Sequence, residues 1–206
     1  MSKTEAPLDF IYRYIPEQAA ATILDYLRLY KVHLTITKER KSVLGDYRHA
    51  TALKAHRISI NGNLNKYSFL ITLIHELAHL ITFTQYKNRV DPHGKEWKRI
   101  YGVMLKDFLH SEIFPPDLLY YLNESLHDLP ASSCSDEKLM RVLRKYDKGN
   151  GLVLLEQIGE GKLFDAGKGN LFRKGKKLRK RYECIELATG RLYLFSAIYE
   201  VKAYDG

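Results

Sequence analysis

The sequence predicts an α+β fold, and three observations predict it. Apolar residues recur at three- and four-residue spacing from Pro16 to Tyr30, which indicates an amphipathic helix. Two segments with alternating apolar and polar residues follow, VHLTITKE and HRISIN, and both indicate strands. Beyond residue 148 short β-like runs are separated by glycine-containing turns, which is typical of a small antiparallel unit.

The remaining elements follow in chain order. The polar interval around Gly45 to Arg48 separates the two strands, and the second strand ends at Asn61-Gly62-Asn63. From Leu64 to about Tyr86 apolar residues cover nearly the whole helical circumference, so this helix is predicted to be buried. After the polar break KNRVDPHGKE, the segment WKRIYGVMLKDFL is helical until Pro115-Pro116 forbids continuation. DLLYYLNESL and DEKLMRVLRKY are predicted to form two shorter helices.

The chain changes character at Lys148-Gly149-Asn150-Gly151, so we predict one domain over residues 1–147 and a basic β-rich unit over residues 148–206. Its 206 residues are 45% hydrophobic and 28% charged, the balance of a soluble globular protein. No segment reaches the roughly 18 continuous apolar residues of a membrane span. We therefore expect a cytoplasmic protein without a membrane partner.

Cysteine content and net charge narrow the class further. Cys134 and Cys184 lie far apart, which excludes a disulfide framework and a four-cysteine zinc site. The formal net charge of +9 favours acidic partners such as nucleic acid.

The segment LIHELAHL places two histidines and a glutamate on the predicted buried helix. Residues four apart lie one turn above each other, so His75 and His79 offer imidazole nitrogens to one metal ion. Zinc suits imidazole ligands and lowers the pKa of a water molecule to about 7, and Glu76 beside them is the candidate general base. The alternative is that these histidines hydrogen-bond within the core. Unpaired buried polar groups each cost about 1–3 kcal/mol, which favours the metal site.

A catalytic zinc needs a third protein ligand. A histidine six residues after His79 is excluded, because that region reads LITFTQ. Glu96 or Glu112 would serve if a glutamate from the following helix completed the set. His93 is the better candidate, because it precedes Gly94 and follows a loop long enough to return the chain to the metal.

The pattern His75-Glu76-x-x-His79, followed after thirteen residues by His93-Gly94-x-x-Trp97, resembles the SprT-like zinc metalloprotease family, which includes the Spartan-type proteases of DNA–protein crosslinks. The resemblance covers about residues 10–110. It implies a zincin-like domain with zinc held by the three histidines, Glu76 as general acid/base, and a substrate strand along the edge strand near HRISIN. Many bacterial members carry a C-terminal four-cysteine zinc ribbon. The β-rich unit here lacks those cysteines and is interpreted as a degenerate ribbon held by apolar packing.

A basic segment interrupts the β-rich unit, and it contains no acidic residue. Its basic members are Lys168, Arg173, Lys174, Lys176, Lys177, Arg179, Lys180 and Arg181. Basic side chains neutralise phosphates, and the aromatic residues Phe172, Tyr182, Tyr193 and Phe195 suit base stacking, so a nucleic-acid groove is predicted. The alternative is a solvated hairpin loop whose aromatic neighbours form the core of the unit.

The sequence therefore predicts a zinc-dependent endopeptidase with Zn²⁺ as cofactor, acting on DNA-associated or DNA-crosslinked proteins and having DNA as a partner. Two other classes stay open. A non-catalytic nucleic-acid- or protein-binding module would carry a vestigial metal site, although every residue that the chemistry needs is present. A structural zinc protein would need a fourth protein ligand, and no obvious one follows the motif.

Overall fold

The computed structural model describes residues 8–40, 43–126, 129 and 136–204. The chain divides into two units, Met1–Asp147 and Lys148–Gly206. Helices and a three-stranded sheet build the first unit, and a separate six-stranded sheet builds the second. The predicted α+β class is confirmed. Cys184 is a buried free thiol, whereas Cys134 lies outside the described residues.

The sheet of the first unit contains one strand that the sequence reading missed. Helix α1 (Glu17–Leu29) leads into β1 (His33–Thr37), β2 (Gly45–Arg48) and β3 (Arg57–Asn61). The strand order is β1-β3-β2, with β1 parallel and β2 antiparallel to β3. The polar interval predicted to separate two strands is therefore itself the strand β2.

This order also corrects the predicted edge strand. The segment HRISIN forms β3, whose two sides already pair with β1 and β2. A central strand has no unpaired backbone groups to offer a substrate. The sheet's edges are β1 and β2.

Helix α2 (Lys66–Tyr86) runs through the middle of the first unit and is buried around most of its circumference. The side chain of Asn65 caps it by accepting hydrogen bonds from the backbone N–H groups of Tyr67 and Ser68. By its length and apolar composition α2 would suffice to cross a membrane, although the sequence predicted no membrane span. However, 72% of its 18-residue apolar stretch is buried inside the structure. Such burial is typical of a core helix, and the cytoplasmic location stays a prediction.

Three further helices complete the first unit: α3 (Lys95–Asp107), α4 (Pro116–Ser125) and α5 (Glu137–Leu143). Trp97, Tyr101 and Met104 of α3 are buried in the same core as α2. The Asn65 side chain donates to the Leu143 carbonyl at the end of α5, 3.0 Å away. The N-terminus of α2 is thereby fixed to the helix that closes the unit.

The second unit is one antiparallel sheet. Its strands are β4 (Val153–Leu154), β5 (Leu163–Asp165), β6 (Leu171–Lys177), β7 (Arg181–Glu186), β8 (Leu192–Ser196) and β9 (Glu200–Tyr204), in the order β4-β9-β5-β6-β7-β8. The first of the short β-like runs beyond residue 148, LVLLEQI, forms only a two-residue strand, which is followed by a 3₁₀ turn at Leu155–Gln157. Phe164, Phe172 and Cys184 lie in its apolar core.

Candidate metal centre

Two elements bring three histidines together. His75 and His79 lie one turn apart on α2, and His93 lies in the turn that precedes α3. That turn is tight, because the Gly94 N–H donates to the Asp91 carbonyl at 3.0 Å and a Cβ on Gly94 would lie 3.2 Å from the Asp91 Cβ. The turn therefore directs His93 back towards α2.

The three imidazoles point their Nε2 atoms at a common centre. His75 Nε2 lies 3.2 Å from His79 Nε2 and 3.3 Å from His93 Nε2, and the ligand atoms of all three lie within 4.8 Å of one another. Zinc–nitrogen bonds of about 2.0–2.1 Å at a tetrahedral angle place two nitrogens roughly 3.3–3.4 Å apart. The three histidines could hold a metal ion, and their spacing fits zinc.

The alternative third ligands lie outside this cluster. Among the residues that the structure describes, the group that could hold a metal ion is His75, His79 and His93, and it includes neither Glu96 nor Glu112. Glu112 is exposed, and Glu96 lies beside Asn88–Asp91 and Lys95 in an open groove of about 580 Å³. Three protein ligands leave one tetrahedral position for water or substrate.

A single tryptophan backs the whole cluster. The fully buried Trp97 ring lies 4.7 Å from the His75 and His93 rings and 5.2 Å from the His79 ring, centroid to centroid. The Tyr101 ring stacks on the Trp97 ring with 4.9 Å between their centroids, and the two rings form an aromatic wall. A wall of this size holds the imidazoles in their rotamers and excludes water from one side of the site.

Burial keeps the imidazoles neutral. It lowers the pKa of His75 to about 3 and that of His79 to about 4, and the neighbouring histidines add to the effect. Burial also lowers the pKa of His93. Neutral imidazole is the form that binds a metal, so at neutral pH no proton has to be displaced from the three nitrogens.

The side chain of Glu76, on α2, packs against strand β2. Its carboxylate accepts a hydrogen bond from the Tyr47 backbone, and a Cβ built on Gly45 would lie 2.7 Å from its Oε1 atom. Burial raises the pKa of Glu76 to about 8, with a further contribution from Asp46, while Arg40 and the Tyr47 N–H act in the opposite direction. A cation at the histidines would favour the ionised carboxylate.

The far end of β2 is fixed by a polar contact that the sequence analysis did not identify. Tyr47 Oη lies 2.8 Å from Nδ1 of His56, and the Ala50 N–H donates to the same nitrogen at 3.2 Å. Because an N–H is an unambiguous donor, Nδ1 is the acceptor and Tyr47 donates its hydroxyl proton. No short-range pattern links these residues to Glu76, so only the fold could reveal them.

The basic segment is divided by the sheet rather than gathered in one groove. Lys168 lies in the turn between β5 and β6, whereas Arg179, Lys180 and Arg181 lie at the opposite end of β6. A seven-residue strand spans about 23 Å, so these charges lie far apart. The exposed cluster is the turn that joins β6 to β7, flanked by Lys176 and Lys177.

Lys174 corrects the predicted set of phosphate-binding residues. Its side chain is 4% exposed, and its ammonium group donates to the Ile158 carbonyl and lies 4.0 Å from the centre of the Tyr182 ring. Phe172 is likewise buried and packs against Phe164. Neither Lys174 nor Phe172 is accessible to a nucleic acid.

Comparison with known proteins agrees with this arrangement. The model of the SprT-like family matches residues 15–108, a range that includes α2, the three histidines and Trp97. The resemblance to the SprT-like family read from the sequence is confirmed over residues 15–108, which lie in the first unit of the chain. No curated protein and no solved structure matches the chain.

Proposed function

We propose that the chain is a zinc-dependent endopeptidase of the zincin type that cleaves DNA-associated proteins. The observation that carries the proposal is the convergence of three neutral imidazoles, two of them on the buried helix α2 with Glu76 and the third on the turn before α3. A SprT-like domain supports a metallopeptidase, because the family is commonly metalloprotease-like. A purely structural zinc site would need a fourth protein ligand, and the described residues of this cluster supply three.

His75, His79 and His93 would hold the zinc, which would polarise the scissile carbonyl and lower the pKa of a water molecule. Glu76 accepts the proton of the attacking water as general base and delivers it to the leaving amide nitrogen as general acid. The Tyr47 N–H and the close approach of Gly45 hold its carboxylate in one position. Trp97 shields one side of the site from bulk water.

The substrate backbone would lie along β2. This strand is an edge of the sheet, and it contacts Glu76 through Gly45 and Tyr47. An extended peptide that adds to an edge strand gains main-chain hydrogen bonds without regard to its side chains. Such recognition suits an endopeptidase that acts on many proteins.

DNA would bind at the exposed turn between β6 and β7. Lys176, Lys177, Arg179, Lys180 and Arg181 are all exposed there and positively charged. A protein bound to the same DNA would be present at a high effective concentration, so DNA should stimulate its cleavage without changing the metal site.

Cleavage of a DNA-binding protein by the zinc-loaded chain tests this function. Glu76→Gln removes the base while keeping the side-chain size, so it should retain zinc and lose cleavage. The matched control is Glu96→Gln, which changes a nearby carboxylate outside the cluster and should keep both. Cleavage that persists in Glu76→Gln would refute the mechanism.

A second arm tests the DNA dependence. The full chain with Lys176, Lys177 and Lys180 changed to Gln should cleave an unstructured peptide at the wild-type rate but lose the stimulation by DNA. Wild-type cleavage that does not respond to DNA would leave a zinc peptidase and refute the DNA-associated substrate.

A further inference from the structure

The outer face of the β7–β8 hairpin exposes aliphatic side chains. Ile185 pairs with Leu192 across the hairpin, and Leu194 lies two residues further along β8. These three side chains are 47%, 58% and 47% exposed, respectively. Side chains two apart on a strand point to the same face, so the three form one continuous patch. We call Ile185, Leu192 and Leu194 the hairpin patch.

The opposite face of the same hairpin forms the core of the unit. Cys184 is fully buried, and the Phe195 ring packs against Phe164 and Phe172 at centroid distances of 5.6 and 5.0 Å. The aromatic side chains are therefore directed inward and the aliphatic ones outward. An aliphatic surface offers no rings for base stacking, so the hairpin patch is suited to protein rather than to nucleic-acid bases.

Strand β8 also ends the sheet. It pairs with β7 on one side, and no other described strand pairs with its outer edge. Natural sheets protect such an edge with lysine, proline, a bulge or a covering segment. The strand reads Leu-Tyr-Leu-Phe-Ser and contains neither charge nor proline. An unprotected edge beside an exposed aliphatic patch is the arrangement to which another strand can add.

The surroundings of the patch are cationic. Leu194 and Leu178 line a shallow pocket of about 330 Å³ together with Arg179, Lys180 and Arg181. The acidic side chain opposite Leu194, Glu183, lies 3.9 Å from the Lys176 ammonium group. The rim therefore offers positive charge to an incoming ligand.

We propose that β8 is a docking strand for an extended segment of another protein, in which every second residue faces the hairpin patch and is aliphatic along the patch but acidic at the end next to Arg181. The aliphatic side chains would cover the hairpin patch, and the acidic ones would face Arg179, Lys180 and Arg181. A second copy of this chain fits less well, because residues 148–206 contain twelve Lys and Arg against seven Asp and Glu, and pairing would bring like charges together. The proposal is independent of the peptidase function, but the acidic segment and DNA would compete for Arg179, Lys180 and Arg181.

Binding of a fluorescent peptide in which threonine alternates first with valine and then with glutamate, so that valine and glutamate share one face, tests the proposal when measured by anisotropy with the full chain. We expect saturable binding that weakens about tenfold or more when Leu192 and Leu194 are both changed to Lys, since each loses an apolar contact. The matched control is Leu53→Lys, a fully exposed leucine in the first unit, which should change binding less than about twofold. The same peptide with lysine in place of glutamate should not bind.

Hydrogen exchange distinguishes strand addition from simple charge attraction. The alternating peptide should protect the amides of β8, whereas a peptide with the same residues in two blocks should not. Equal binding of both peptides without protection would overturn the proposal.

Three other outcomes would also overturn it. The first is no saturable binding by the alternating peptide. The second is binding only to vesicles of phosphatidylserine and phosphatidylcholine, which would make the patch a membrane contact. The third is self-association that the Leu192 and Leu194 changes abolish, which would make it a contact between copies.

Discussion

The contact between Gly45 and Glu76 gives the sharpest test of how the candidate metal centre is built. A Cβ on Gly45 would lie 2.7 Å from Glu76 Oε1, 2.7 Å from Thr72 Cγ2 and 2.9 Å from Glu76 Cγ. Thr72 is held in place, because its hydroxyl donates to the Ser68 carbonyl at 2.8 Å. The change Gly45→Ala must therefore displace either the Glu76 carboxylate or strand β2.

The distances set the size of the effect. Relieving a 2.7 Å contact to an ordinary separation of about 3.4 Å requires a shift of roughly 0.7 Å, and overpacking of this kind costs about 1–3 kcal/mol of folding stability. A misplacement approaching 1 Å at a catalytic group costs on the order of a hundredfold in rate. We expect kcat to fall by about ten- to a hundredfold, and the melting temperature to fall by several degrees.

Peptide cleavage, zinc content and thermal unfolding are measured on the same preparations. Zinc should stay stoichiometric in Gly45→Ala, because the atoms nearest to the new Cβ belong to Glu76 and Thr72 and not to the three histidines. The control is Gly102→Ala in α3, where the contact of the new Cβ among the described residues is the end of the Leu129 side chain at 3.0 Å and where alanine favours the helix. Full kcat in Gly45→Ala together with a lowered melting temperature would refute the inference that β2 positions Glu76.

Three further predictions concern the ligand set, pH and salt. His93→Ala should lose zinc as severely as His79→Ala while Glu96→Ala retains it, measured as zinc per chain after gel filtration, and retained zinc in His93→Ala would point to another ligand. The metal-free protein should be most stable near pH 6.5 in thermal melts. Below that pH the two histidines take up protons in the unfolded chain but stay neutral in the folded one. The free energy of unfolding therefore falls by about 1.4 kcal/mol per pH unit for each of His75 and His79, and the raised pKa of Glu76 offsets part of this loss. Above pH 6.5, Glu76 with its pKa of about 8 stays protonated in the folded chain while the unfolded carboxylate is ionised, so stability falls as the pH rises towards 8. Glu76→Gln should remove this second decline. A decline that persists in this variant would contradict its assignment to Glu76. Lys180→Ala should reduce the slope of log affinity for duplex DNA against log salt by about 0.9 and leave the melting temperature unchanged. Lys174→Ala should instead destabilise the fold by roughly 1.5–3 kcal/mol, because it loses a charged hydrogen bond. Equal salt slopes for the wild type and Lys180→Ala would exclude Lys180 as a phosphate contact.

The sequence by itself determined the elements whose signals are local. Helical spacing places His75 and His79 on one face, and an apolar circumference predicts that α2 is buried. The turn-forming Asp91-Pro92-His93-Gly94 and the following helix were sufficient to favour His93 over a glutamate. These features depend on residues that are close in sequence, so the spacing of residue types along the chain is sufficient to predict them.

The tertiary structure decided what depends on distant partners. The segment Gly45–Arg48 is polar and reads as a connection, yet it becomes β2 because its backbone pairs with β3 and its Gly45 admits the Glu76 carboxylate. Trp97 was part of the sequence motif, but only the tertiary structure shows that its ring contacts all three histidines.

The basic segment shows the same limit. Its charges are consecutive in sequence, but a strand turns alternate side chains to opposite faces and separates its two ends. Lys174 is therefore buried under the Ile158 carbonyl while its neighbour Arg173 is exposed, and Lys176 is exposed where the register with β7 shifts between Lys174 and Lys177. Composition predicts that a segment is basic, and the pairing of β6 with its neighbours determines which of its charges reach solvent.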